Sequence, residues 1–131
     1  MTPQNQEFEH GLGRQKGDCQ RAVIASLLDL PISQVPHFAA IASDAINFWE
    51  LVYDFVAYHG YDFLPGVKIE EYIIPGEDLY HQISGESPRN KRVKHAVVGL
   101  NGNVFFDPHP SRAGLAGKPE HWSHSVIRKI I

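Results

Sequence analysis

The chain has a single cysteine, Cys19, in the stretch GDCQRAVIASLLDL, residues 17–30. Three uses compete for it. On the apolar stripe of a helix, a lone Cys serves as a small buried hydrophobe. As a metal ligand it would need partners. The chain has eight histidines, and His121 and His124 are spaced i, i+3, but no CxxC or HExxH pattern accompanies Cys19, so support for zinc is thin. As a nucleophile it gains from its place in a first helical turn. Free backbone N–H groups and the macrodipole there favour negative charge, hence the thiolate, which is the nucleophilic form. Gly17, just before the turn, leaves room for a substrate to come close.

A nucleophile of this kind needs a base and a group that orients the base. KHAVVGLNGNVFFDPHP offers both in one hairpin, with His95 on the first strand and Asp107 at the end of the second. Their relation depends on the turn. A two-residue Asn101-Gly102 turn sets them on opposite faces. A three-residue loop, Leu100 to Gly102 with Gly102 left-handed, sets them directly across from one another. In that second register Val97 and Phe105 share their face, while Ala96, Val98, Val104 and Phe106 point the other way. Both turns suit the residues. The plainer use of Asp107 is to close a rigid strand end, Asp107-Pro108-His109-Pro110, by bonding backbone N–H groups. His10, His37, His59 and His81 read as surface or satisfied core residues, and His59 also suits a helix C-terminus.

The elements that must position these groups follow from periodicity. Residues 18–30 predict a helix. Asp18 is a favoured N-cap, and Cys19, Ala22, Val23, Ser26, Leu27 and Leu30 form a stripe. Gln20, Arg21 and Asp29 fall away from it, and Pro31 ends it. PISQVPHF is a turn or one-turn helix. Residues 44–59 predict a second helix capped by Ser43 or Asp44, with Ala45, Phe48, Trp49, Val52, Phe55 and Val56 on one face and Gly60 after its end. The second half switches to short β-branched and aromatic runs, EYIIP, LYHQIS, VKHAVVGL, NVFFD and SVIRKII, which predict strands. Helices first and strands later predict one α+β domain over residues 1–131. Its helices pack on a C-terminal antiparallel sheet, and residues 1–17 form an extended arm or loop.

Composition bounds the function. With 131 residues, 43% hydrophobic and 21% charged, the chain suits one domain with a real core. A net charge of -3 and a pI near 6.2 argue against a broad nucleic-acid footprint. The run Arg89 to Lys94 holds four cations in six residues and reads as a solvated loop. One cysteine forms no internal disulfide. The first residues lack the apolar core of a signal peptide, and no run approaches the ~20 apolar residues that span a bilayer. The expectation is a cytoplasmic protein with a reduced thiol, no membrane partner and no cofactor.

The pieces QKGDCQRAVIASLLDLPISQVPHF, ISGESPR and KHAVVGLNGNVFFDPHPSRAGL together resemble the papain-like cysteine peptidase superfamily. The likeness is closest to small bacteriocin-processing peptidase domains and the compact phage and bacterial proteins related to them. The resemblance implies a papain-like fold with Cys19 as nucleophile, His95 as base and Asp107 orienting the ring. It also implies a peptide or protein substrate cleaved as a peptide or isopeptide bond. Such enzymes place a Gln in the oxyanion hole six residues before the Cys, where this chain has Gly13; Gln15, four residues before, is the candidate. The Cys19 backbone N–H would be the other donor, and the Ser84 to Arg89 segment is the next source of one. The small size predicts a shallow cleft or one completed by a partner, with Trp49, Trp122, Tyr80 and Phe106 as candidate lining. The same fold also serves binding, so the competing expectation is a non-catalytic protein that engages a host partner.

Overall fold

A computed structural model of the chain describes residues 1–11 and 16–130. The first helix, α1 (Cys19–Leu27), is shorter than the 18–30 that its stripe predicts. Asp29 takes a left-handed φ of 56°, and the Leu30 N–H turns back to the Ala25 carbonyl at 2.9 Å, ahead of Pro31. Asp18 is not a side-chain cap. Its carboxylate instead accepts from the backbone N–H groups of Glu7 (3.2 Å) and Phe8 (2.8 Å). Gln20, expected to face outward, is buried. The helix is wrapped on all sides because the N-terminal arm runs along it, with the Thr2 N–H on the Ser26 carbonyl at 3.0 Å and the Gln4 N–H on Ser26 Oγ at 2.9 Å.

A short helix, α2 (Phe38–Ile41), follows, and then α3 (Phe48–Tyr58). The start of α3 lies later than residue 44 because Asn47 is the cap. Its side-chain oxygen accepts from the Glu50 N–H at 3.1 Å. Ser43 Oγ instead accepts from the N–H groups of Ala45 and Ile46, tying a turn ahead of the helix.

Five strands form one fully antiparallel sheet in the order β1-β5-β2-β3-β4: β1 (Tyr61–Val67), β2 (Tyr80–Glu86), β3 (Lys94–Leu100), β4 (Asn103–Phe106) and β5 (Ser123–Lys129). Four match the expected runs. EYIIP is not a strand; a 3-10 turn at Ile69–Glu71 leads into a loop, and Ile69 and Ile73 close over the β3–β4 turn, where a Cβ on Gly102 would sit 3.8 Å from each. The sheet edge is instead β1, whose sequence YDFLPGV carries a Pro and a Gly that argue against a strand. Both fall where the β1–β5 register breaks, between Leu64 and Val67, on an edge that tolerates them.

The β3–β4 hairpin follows neither simple register. Its turn is the two-residue Asn101-Gly102 pair, with φ of 49° and 89°, not the three-residue loop that would set His95 across from Asp107. Leu100 faces Asn103 and Gly99 faces Val104, but then Val98 faces Phe106. One residue is bulged on β4 between them. The bulge restores the parity that a two-residue turn would lose, so residue 107 falls on the face that carries His95. The side chains near the turn change accordingly. Phe105 packs its ring against Tyr80 at 5.4 Å instead of sharing the His95 face.

Two apolar clusters flank α1. Ile24 and Ala25 pack with Val35, Phe38, Val52, Val56 and Phe63, between the helices and β1. Val23 packs with Ala96 and Val98 of β3, and Cys19, Leu27 and Phe106 lie against that second cluster. α1 is thus clamped onto β3, which fixes its N-terminus relative to His95. Truncating Ile24 to Ala would cost about 2–5 kcal/mol by opening a cavity. The result is an α+β architecture. No single helix among the described residues is long and apolar enough to cross a membrane.

Candidate active site

Cys19 is the first residue of α1 and is half-buried. His95 is the second residue of β3 and is buried, as is Asp107, one residue beyond β4. The His95 Nε2–H donates to Asp107 Oδ1 at 2.7 Å. That bond leaves Nδ1 as the ring nitrogen free for the thiol, and the Cys19 thiol lies within hydrogen-bonding reach of the ring. The structure thus brings together the three residues that the sequence analysis selected. It does so through the bulged hairpin and through the docking of α1 on β3.

The electrostatics are those of a coupled line. Burial disfavours a charged His95, yet the bond to Asp107 and the hydrogen bond and charge of Cys19 outweigh it and raise the imidazole to about 9. Burial also disfavours a charged Asp107. The bonds from His95 and from the N–H groups of His109 (2.9 Å) and Gly114 (2.7 Å) prevail and hold its carboxyl below the usual range. Arg112 stacks over Phe106 at 4.8 Å and donates to the Asp107 carbonyl at 2.7 Å, which holds the backbone of this loop. Asp107 therefore does both things its sequence context allowed. It orients a ring and it closes a rigid loop.

Two cavities meet at Cys19. One, of about 390 Å³, is walled by Phe38, Phe48 and Trp49 and floored by Gln82, Ser84 and Ser123. The other, of about 410 Å³, is bordered by Gln6, Ser87, Arg89, His95 and His109. His10, Gly17 and Cys19 border both. Of the aromatic residues named as candidate lining, Trp49 reaches the cleft. Tyr80 and Phe106 lie against the Val23 cluster, and Trp122 covers Gly85 while donating to the Ala116 carbonyl at 2.9 Å. Arg89, at the head of the basic run, also borders the second cavity and donates to Ser111 Oγ at 3.0 Å. Gln15 lies outside the described residues.

Several site residues were not singled out in the sequence. Gln20 and Gln82 face each other as a buried amide pair at 2.6 and 2.9 Å, and Gln82 also donates to Ser84 Oγ at 2.9 Å. Gln82 could have been found from the alternation of LYHQIS, but its partner sits on another element. His109 packs edge-on to His95 at 6.1 Å, and its Nε2–H donates to Glu9 of the arm at 2.5 Å. His10, read as a surface or core residue, stands at the rim beside Cys19, and Gly17 does not open a path for substrate because the His10 ring fills its free side. His37 caps α2, accepting from the Ala40 N–H at 3.2 Å. Among the described residues no group of three or more His, Cys, Asp or Glu side chains is arranged to hold a metal ion.

No protein-family model matches the chain, and neither the curated proteins nor the solved structures hold a significant match to it.

Proposed function

We propose that the chain is a cysteine-dependent hydrolase or acyltransferase of papain-like fold, acting on a peptide or isopeptide bond. The observation that carries this reading is the line from Cys19 through the His95 ring to Asp107, with its 2.7 Å bond at the far end. His95 takes the thiol proton and Asp107 holds the resulting imidazolium. The sulfur lone pair attacks the carbonyl carbon, and the C=O π pair moves onto oxygen. As the carbonyl re-forms, the C–N bond breaks and the leaving amine takes the proton from His95. Water, or an acceptor amine, then attacks the thioester, with His95 again as base, and frees Cys19. A reducing cytoplasmic setting suits such a thiol.

A second reading, a non-catalytic binding protein, is favoured by one observation. Ile41, Ile46, Trp49 and Tyr53 are large apolar side chains left exposed on and just ahead of the helix that walls the cleft. Digestion of a defined peptide mixture, followed by mass spectrometry of the new termini, separates the two. The enzyme reading expects cleavage by the wild-type chain that is lost in Cys19→Ala. It fails if Cys19 also alkylates no faster than free cysteine and is indifferent to His95→Ala.

A further inference from the structure

Resting on the thiol-enzyme reading, we propose that the His10 imidazole N–H is the side-chain donor of the oxyanion hole, acting with the backbone N–H of Cys19. Three residues border both cavities, and two of them are His10 and the nucleophile. The carbonyl under attack must lie where the cavities meet, and His10 is the described side chain that stands there with a donor to offer.

The third shared residue explains how His10 is held. The Cδ2–Nε2 edge of its ring faces Gly17; a Cβ there would sit 2.9 Å from Cδ2 and 3.3 Å from Nε2. Any side chain at residue 17 would drive the ring away from the helix start. The other histidines near Cys19 are committed. His95 is bound to Asp107, His109 to Glu9 and Ser111, and His37 to Ala40 and Lys16. No described residue hydrogen-bonds the His10 ring. The arm that carries His10 is tied to the helix start by Asp18, which accepts from Glu7 and Phe8, and no side chain caps α1. The first-turn N–H groups of α1, that of Cys19 among them, are therefore left without a side-chain acceptor at the helix start.

Burial, then the charges of Lys16, His95 and His37, lower the acidity range of His10, so the ring is neutral at pH 7. A neutral imidazole donates one hydrogen bond and adds no proton that would compete with His95 as acid. In the reaction, Cys19 sulfur bonds to the carbonyl carbon and the π pair settles on oxygen. His10 N–H and Cys19 N–H receive that charge, then release it when the carbonyl re-forms and the leaving group departs.

The test compares two reagents on the full chain. p-Nitrophenyl acetate acylates the thiol through a tetrahedral oxyanion and expels p-nitrophenolate. Iodoacetamide alkylates it by displacing iodide, with no oxyanion. His10→Ala should slow acetylation of Cys19 by about 100-fold and leave alkylation at the wild-type rate. His10→Gln, which keeps an N–H donor, should recover most of the loss, and Gly17→Ala should lose acetylation in parallel with His10→Ala. Unchanged unfolding temperatures would show that the fold is intact. Wild-type acetylation in His10→Ala overturns the proposal, and so does an equal fall in both rates, which would mean that His10 acts on the ionisation of the thiol. A wild-type thiol no faster than free cysteine with either reagent fails the enzyme reading itself.

Discussion

The Nε2 of His95 and the Oδ1 of Asp107 lie 2.7 Å apart, both buried, although the turn between their strands would by itself set them on opposite faces. A single bulged residue on β4, between the partners of Val98 and Gly99, brings them together. The pair depends on that irregularity, and its consequences can be measured.

His95 should titrate near 9, well above a free imidazole. A group raised in the folded state contributes stability that is fully present below ~6.5 and lost as pH rises through about 9. In the proposed reaction the same step removes the proton needed by the leaving amine, so turnover falls over that range. Following the His95 C2 proton by NMR checks this. Asp107→Ala and Cys19→Ser should each lower the midpoint; an unchanged midpoint in both would separate His95 from its two neighbours.

Asp107→Asn and Asp107→Ala should differ in kind. Asn keeps an oxygen for the His95 ring, but its amide would present N–H to the Gly114 N–H that Oδ2 now accepts at 2.7 Å. The loss is then mainly of stability, about 1–3 kcal/mol for the unpaired donors. Ala removes the orienting acceptor as well and should slow reaction at Cys19 further. Chemical denaturation with thiol labelling reports both quantities, and wild-type labelling rates in both variants would exclude orientation by Asp107.

His81 should make the fold acid-sensitive. It is fully buried, accepts the Gly102 N–H at Nε2 (3.0 Å) and donates from Nδ1 to the Gln82 carbonyl (3.2 Å). Burial, aided by the charge of His124, depresses it to about 4, against the weaker opposing bond to Gln82. The unfolded chain therefore binds the extra proton, and stability is lost as pH falls from ~6.5 to about 4, by roughly 3 kcal/mol. His81→Phe should flatten the unfolding free energy across that window; a slope equal to wild type would assign the effect to another group.

Asp18→Ala should loosen the arm and, with it, the site. The carboxylate is buried, accepts from Glu7 and Phe8, and pairs with Arg21 at 3.3 Å. Removing it strands two N–H groups, at about 1–3 kcal/mol. Hydrogen exchange should rise selectively at residues 6–8, and thiol reactivity should change because Glu9 and His10 ride on the same segment. Wild-type protection there would mean that Asp18 is not the anchor.

The sequence by itself determined the α+β class, the helix that opens on Cys19 and four of the five strands, and it singled out Cys19, His95 and Asp107 as candidates. These rest on local periodicity and on residue chemistry, which act within a few positions of the chain. The tertiary structure decided the rest. β1 was hidden because Pro65 and Gly66 argue against a strand, and an edge beside a register break accepts them. Asp18 left its expected cap because its carboxylate is engaged by the Glu7 and Phe8 N–H groups of the arm. The bulge that sets the His95–Asp107 pair, the Gln20–Gln82 amides and the place of His10 beside Cys19 join residues far apart in sequence. No local pattern encodes such pairings, because each depends on how α1, the arm and the sheet settle against one another.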